Sequence, residues 1–141
     1  FFDSALSFGM IRAGKVDLAE LVGAYTRMLA GNPWVPALIV QEVLAEGGQF
    51  REQFIEHFAG RLAPLFTGVI RRGQERGTLR DDLDPRLAAL SAISLTVFPF
   101  LALPVTSRVL GLSPSPEALD RLVEHTTSVL LEGIGNVEVP A

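Results

Sequence analysis

A stretch of twenty-one residues without a charge constrains this chain more than any other feature. It reads LAALSAISLTVFPFLALPVTS, residues 87–107, and lies between Arg86 and Arg108. As a helix rising about 1.5 Å per residue, it matches the thickness of a bilayer's hydrocarbon core. The chain must therefore place this stretch in a membrane or cover it on every side with protein.

The side chains within the stretch argue against a membrane span. Lipid tolerates unpaired polar groups only where neighbouring protein satisfies them, and Pro99 and Pro104 each remove a backbone donor. The stretch also carries five hydroxyl side chains: Ser91, Ser94, Thr96, Thr106 and Ser107. No Trp or Tyr lies near either end of it to form an aromatic belt at a membrane interface. We therefore expect no membrane partner.

Protein must then cover the stretch, and a bundle of this size has too few helices to surround one of its own. A second copy of the chain can supply the missing cover. Small residues repeat every four positions in the stretch, where another helix can come close, and the last helix has spare apolar residues. We predict that the last two helices form a self-paired homodimer interface through Ala88, Ala92, Thr96, Val123 and Leu131. The alternative is that residues 87–107 form the central core helix of a monomer.

Hydrophobic residues recur with helical spacing along nearly all of the chain, and no run alternates as a strand does. The sequence predicts one all-α domain over residues 1–141, an antiparallel helical bundle of about five to six helices. Capping chemistry marks three helix starts: Asp17 with Glu20, Asp84 before Pro85, and Ser115 before Pro116. Val16 and Leu21 have the spacing of a hydrophobic staple around the first start.

An aromatic stripe marks the third long segment, where apolar residues recur every four positions: Phe50, Phe54, Phe58, Leu62 and Phe66. Pro64 lies inside this segment, so we expect a kink near Gly60 that spreads the helices apart. Bundles bind small molecules between such helices, in largely apolar sites with a few polar groups. The predicted ligand-binding residues are Tyr25, Met28, Trp34, Leu38, Gln41, Phe54, His57, Phe58, Phe66 and Phe98. The alternative is that these side chains are ordinary core.

Composition and motifs argue against several other functions. The net charge is −4, which disfavours nucleic-acid binding by this chain itself. There is no cysteine, which fits a cytoplasmic protein, and the two histidines have no metal-ligand spacing. No phosphate loop, nucleophile elbow or metalloprotease motif is present. We predict no catalytic residue, no metal and no cofactor; a carboxylate-bridged bundle enzyme is the third possible class.

The segment VIRRGQERGTLRDDLDPRLAALSAISL, residues 69–95, resembles the link between two helices near the end of TetR-family transcriptional regulators. The residues that carry the likeness are Gly73, Gly77, Leu79, Arg80, Asp82, Asp84 and Pro85. The resemblance implies a ligand-binding and dimerisation domain whose last two helices pair in a four-helix bundle. It also implies an N-terminal helix-turn-helix domain that binds operator DNA.

No helix-turn-helix segment occurs in this sequence, and the chain begins at Phe1 without a Met. We expect it to be a piece of a longer protein, without the N-terminal DNA-binding domain, so that operator DNA is a partner only through that domain. Two functions follow. The first is an effector-binding and dimerisation domain that senses a small apolar or amphipathic ligand. The alternative is a ligand-free helical dimerisation or interaction domain.

Overall fold

The computed structural model describes residues 17–112 and 115–136, and these residues form six helices. Two of the helices contain π-helical turns, in which the hydrogen bonds join residues five apart. The helices are α1 (Leu18–Gly31), α2 (Trp34–Leu38 and the π-helical Ile39–Leu44), α3 (Arg51–Phe54, the π-helical Ile55–Ala59 and Gly60–Glu75), α4 (Pro85–Leu101), α5 (Leu103–Val109) and α6 (Pro116–Ile134). The predicted all-α class is confirmed.

The three predicted helix starts are confirmed, because each capping side chain accepts a hydrogen bond from a backbone N–H of the first turn. Asp17 accepts from the Glu20 N–H at 2.8 Å. Asp84 accepts from the Arg86 N–H at 2.9 Å, and Ser115 accepts from the Ala118 N–H at 3.2 Å. The predicted staple involves Val16, which lies outside the described residues.

The α3–α4 loop begins with a helix stop that requires two glycines. Gly77 has a φ of +80°, and the Thr78 N–H donates to the Gly73 carbonyl at 2.9 Å, as in a Schellman motif. A Cβ at Gly73 would lie only 2.5 Å from Cδ1 of Leu79, which is buried. Gly73 therefore lets Leu79 fold back over the end of α3 into the core.

The same loop is tied to the end of α6 by hydrogen bonds that span more than fifty residues of sequence. The Arg80 N–H donates to the Ile134 carbonyl at 2.7 Å, and its guanidinium donates to the Gly133 carbonyl at 3.1 Å. The Asn136 amide donates to the carbonyls of Gly77 and Leu79 at 2.7 and 3.1 Å. We call this set of bonds the loop clasp.

Two carboxylates in the clasp region predict how stability depends on pH. Side-chain hydrogen bonds from Arg80 and Arg86 lower the pKa of Asp82 and of Asp84 from their ordinary values. A lowered pKa in the folded state stabilises the fold above the unfolded pKa, and this contribution is lost as the pH falls below about 4. Replacing Asp84 with Asn keeps a capping oxygen but removes the charge that pairs with Arg86.

We therefore expect Asp84→Asn to lower the urea concentration at the unfolding midpoint at pH 7. The difference between the midpoints of wild type and variant, which we call the gap, should shrink towards pH 3. Urea denaturation followed by circular dichroism at several pH values measures this gap. Gln53→Ala, an exposed change on α3, is the control that should show no such trend. A gap that stays constant over this range would contradict the account.

The charge-free stretch folds as two helices rather than one. α4 ends at Leu101, Ala102 breaks the helix, and α5 continues at an angle of 75°; we call this break the α4–α5 elbow. Within residues 17–112 and 115–136, no single helix is both long and apolar enough to cross a membrane. Only α4 and α5 taken together meet that test, as a bent pair.

The predicted dimer stripe on α4 lies in the core of the single chain, which corrects its assignment. Ala88, Ala92 and Thr96 are 5%, 0% and 2% exposed, because their small side chains let α4 pack closely on α1 and α3. Val123 of α6 is also turned inward: a Cβ at Gly23 of α1 would lie 3.6 Å from its Cγ1. These four side chains therefore pack against other residues of the same chain.

The large side chains of α4 point outward instead. Leu87, Leu90 and Phe98 are each about 60% exposed, and with the exposed Ser94 they follow one another at spacings of three and four residues. They therefore share one helix face, which we call the outer face of α4. Leu131, the fifth predicted interface residue, stays on the surface of α6 at 37% exposure.

Candidate ligand-binding site

A cavity of about 330 Å³ lies between α1, α2, α3 and α4. We call it the aromatic cavity, because five aromatic side chains line it: Tyr25, Phe54, Phe58, Phe66 and Phe98. Leu44 and Phe98 in its wall are both 61% exposed, so the cavity opens to the surface beside them. Its volume falls in the range of small-molecule sites in proteins.

The π-helical turn in α3 explains why a strict four-residue repeat can line one cavity. Each step of four residues drifts by about 40° around a regular α-helix. The turn Ile55–Ala59 has wider spacing, and it keeps Phe54, Phe58, Leu62 and Phe66 on the cavity side. A Cβ at Gly60 would lie 2.6 Å from the Ile55 carbonyl oxygen, so glycine is needed where the turn ends.

α3 continues through Pro64, and the π-helical turn Ile55–Ala59 ends one turn earlier at Gly60, the place where the sequence predicts a kink. The proline has no N–H to donate to the Gly60 carbonyl, which removes one bond where the π-helical turn meets the regular helix. The irregularity therefore lies against the cavity wall formed by Phe58, Ala59 and Leu62.

Aromatic contacts shape the cavity floor and one wall. The Tyr25 and Phe66 rings lie 6.1 Å apart between centroids, at the base where both residues are buried. The Phe54 and Phe58 rings lie 4.9 Å apart. Both distances are within the favourable range for aromatic pairs, so the rings hold one another in position.

The polar groups in this cavity are few. They are the hydroxyls of Tyr25, Ser94 and Thr96, and Thr96 already donates to the Ala92 carbonyl at 2.7 Å. No charged side chain is among the described residues that line the cavity. Because an unpaired charge is costly to move out of water, this arrangement suits a neutral, apolar body.

The structure brings six of the ten predicted ligand-binding residues together at the aromatic cavity: Tyr25, Met28, Phe54, Phe58, Phe66 and Phe98. Trp34, Leu38 and His57 do not line the aromatic cavity. α2 turns Val35 and Ile39 inward, so Trp34 and Leu38, one residue before each, face outward at 58% and 36% exposure. His57 is exposed on the outer side of the π-helical turn.

Gln41 lines a different cavity. This second cavity, of about 520 Å³, lies against the α4–α5 elbow, and we call it the elbow cavity. Leu29 and Leu101 line both cavities and form the wall that they share. Gln41 is therefore on the far side of that wall from Phe58.

Apart from Phe98, sequence reasoning missed the part of the aromatic cavity wall that α4 contributes. It consists of Ile93, Ser94, Thr96 and Val97, with Leu101 beyond them. Their helix is apolar on nearly every side, so its pattern does not distinguish the faces towards core, cavity and solvent. The available signal was the four-residue aromatic repeat itself, since a period longer than 3.6 indicates a π-helical turn beside a site.

Neither histidine takes part in a metal-ligand cluster within the described ranges. No group of three or more His, Asp or Glu side chains is close enough there to hold an ion. Both His57 and His125 lie on the surface.

The comparison with known families agrees with the all-α bundle. The chain matches the family model described as "Tetracyclin repressor-like, C-terminal domain" over residues 15–130. The chain therefore belongs to the TetR-like C-terminal domain family, whose members typically bind ligands and dimerise and are in general non-enzymatic. A search of curated protein sequences finds no match.

Proposed function

We propose that this chain is the effector-binding and dimerisation domain of a cytoplasmic TetR-like transcriptional regulator, and that it senses a small apolar or amphipathic molecule in the aromatic cavity. The observation that carries the proposal is the cavity itself, which is lined by aromatic rings and open beside Phe98. Burying a ligand there gains about 25 cal/mol for each Å² of apolar surface.

Dimerisation is the second part of the proposal. A single chain leaves Leu87, Leu90 and Phe98 uncovered on the outer face of α4, and a second copy related by a two-fold axis can cover all three. Phe98 also lines the aromatic cavity, so one side chain links the ligand site to the dimer surface. Operator DNA is contacted, in this proposal, by an N-terminal helix-turn-helix domain outside this chain.

Signalling requires the ligand to bind two arrangements of the helices with different affinity, because equal affinity shifts no equilibrium. In this proposal, contact between the ligand and the α4 wall provides the difference in affinity. A ligand that presses on Val97 and Phe98 acts on the helix that carries the outer face.

Filling the aromatic cavity tests the proposal. Ala63 lines this cavity, is exposed on α3 and does not line the elbow cavity, so Ala63→Phe adds bulk without disturbing the core. The neutral dye N-phenyl-1-naphthylamine serves as the probe, and its fluorescence titration gives the number of molecules bound per chain. We expect Ala63→Phe to bind one molecule fewer than wild type.

Ala45→Phe is the matched control, because Ala45 is exposed and lines neither cavity. It should bind as wild type does. If Ala63→Phe also titrates as wild type, the aromatic cavity is no ligand site; if the wild-type chain binds no dye at all, the ligand-free dimerisation domain becomes the better description.

A further inference from the structure

The elbow cavity is larger than the aromatic cavity and is built from different parts of the chain. Its walls come from five segments: the end of α1, α2, the end of α4, the start of α5 and the first half of α6. The 75° bend at Ala102 turns α5 away from the line of α4. The cavity lies in the space that this turn leaves beside α2 and α6.

Four prolines in these walls keep the cavity both open and poor in hydrogen-bond donors. They are Pro33, Pro36, Pro99 and Pro104. Each lacks a backbone N–H, so the walls have fewer donors to offer than an ordinary helical surface. Proline at the start of α2 and of α5 also fixes where these helices begin, at the rim of the cavity.

Among the described residues that line the cavity, Gln41 is the one whose side chain has a hydrogen-bonding group, and it is exposed on α2. Its amide therefore lies where the cavity meets solvent. All the other described lining residues are apolar, and none is charged. A matching molecule has an apolar body and a single neutral polar group, since a charge would lose its hydration without gaining a partner.

We propose that the elbow cavity is a second ligand site, distinct from the aromatic cavity, for a neutral and mostly apolar small molecule with one hydroxyl, carbonyl or amide group that bonds to Gln41. Its volume of about 520 Å³ is in the range of small-molecule sites. Walls from five segments enclose a compact space rather than present a helix-long groove, which favours a small molecule over a partner helix. The proposal stands whether or not the aromatic cavity binds a ligand.

Paired cavity-filling variants test the two sites separately. Ala37 lines only the elbow cavity and Ala63 lines only the aromatic cavity, and both are exposed alanines on helices. With N-phenyl-1-naphthylamine as the probe, we expect two molecules per wild-type chain, one per Ala37→Phe chain and none for the double variant. Thermal melting by circular dichroism checks that each variant is folded, and Ala118→Leu replaces Ala37→Phe if that variant is not.

The outcomes separate this proposal from the proposed function. If a folded Ala37→Phe or Ala118→Leu variant binds as many dye molecules as wild type, the elbow site is overturned and the aromatic site is unaffected. If Ala63→Phe alone has no effect, the aromatic site fails and the elbow site stands. A wild-type chain that binds no dye overturns both.

The role of Gln41 has its own readout. In the Ala63→Phe background, bound dye is displaced either by 1-octanol or by 1-chlorooctane, which has no hydroxyl. Adding Gln41→Leu should weaken the binding of 1-octanol roughly two- to tenfold, as expected for the loss of one hydrogen bond. The affinity for 1-chlorooctane should stay the same. Equal effects on the two compounds, or no effect on 1-octanol, would show that Gln41 does not bind the polar group.

Discussion

Replacing Ala92 with Glu is expected to prevent the chain from folding. Ala92 is 0% exposed and lies in the core cluster with residues of α1 and α3. A carboxylate there loses its hydration at a cost on the order of several kcal/mol, and the added volume costs about 1–3 kcal/mol more. Together these approach the whole stability of a typical domain, about 5–15 kcal/mol.

Circular dichroism and size-exclusion chromatography measure the outcome. The matched control is Ser91→Glu, which places the same side chain on the neighbouring, exposed position of α4 and should keep the helical signal. A folded monomer of Ala92→Glu would contradict the structure, because it would mean that Ala92 lies on a surface between two copies, as the sequence pattern first suggested.

A charge on the outer face of α4 should separate the two copies and leave each one folded. Leu90 is 60% exposed in the single chain, so Leu90→Glu has little effect on the protomer. In the proposed dimer it buries an unpaired carboxylate from each copy, at a cost on the order of several kcal/mol. We expect the dimer dissociation constant to rise at least roughly a hundredfold, which corresponds to about 2.7 kcal/mol.

Sedimentation equilibrium at micromolar concentrations gives this constant. Ile55→Glu is the control: Ile55 is 48% exposed on α3 and lies outside the outer face of α4 and both cavities. A Leu90→Glu chain that sediments as wild type would locate the dimer surface elsewhere, and a wild-type monomer would refute dimerisation by this chain.

The features that sequence predicted well are those decided by local chemistry. Asp17, Asp84 and Ser115 cap helices because their side chains reach a backbone N–H three residues away or fewer. Gly77 ends α3 because a positive φ suits a residue without a Cβ. Such devices depend on a few neighbouring residues, so their patterns can be recognised without knowledge of the rest of the fold.

The orientation of α4 could not be predicted in the same way. Its sequence is apolar nearly all round, so neither the small face of Ala88 and Ala92 nor the large face of Leu87 and Leu90 is marked as inner or outer. The choice depends on how closely α1 and α3 approach, which is a property of the assembled bundle. The small side chains of α4 face inward because the close approach of α1 and α3 leaves no room for large ones.

The residues of the candidate site also divide into those that a local pattern reveals and those whose orientation depends on the assembled bundle. The aromatic residues of α3 were recognised because their repeat is local, whereas the outward orientation of Trp34 and His57 depends on where neighbouring helix turns begin. α2 starts at Trp34, which turns Val35 towards the core. The π-helical turn at Ile55–Ala59 leaves His57 outside.

The loop clasp holds the loop that leads into α4 by hydrogen bonds, whereas the other end of α4, at the elbow, is held by apolar packing. α4 runs seventeen residues from Pro85, beside the clasp, to Leu101 at the elbow, a lever of about 25 Å. At the far end, Val97, Phe100 and Leu101 of α4 pack against Leu29, Val35 and Ile39 through apolar contacts, which have no fixed direction. In the proposed dimer, a molecule bound beside the elbow would act on the end of α4 that carries Phe98 rather than on the end that carries Leu87, so we expect the two copies to change the angle between them rather than to move apart.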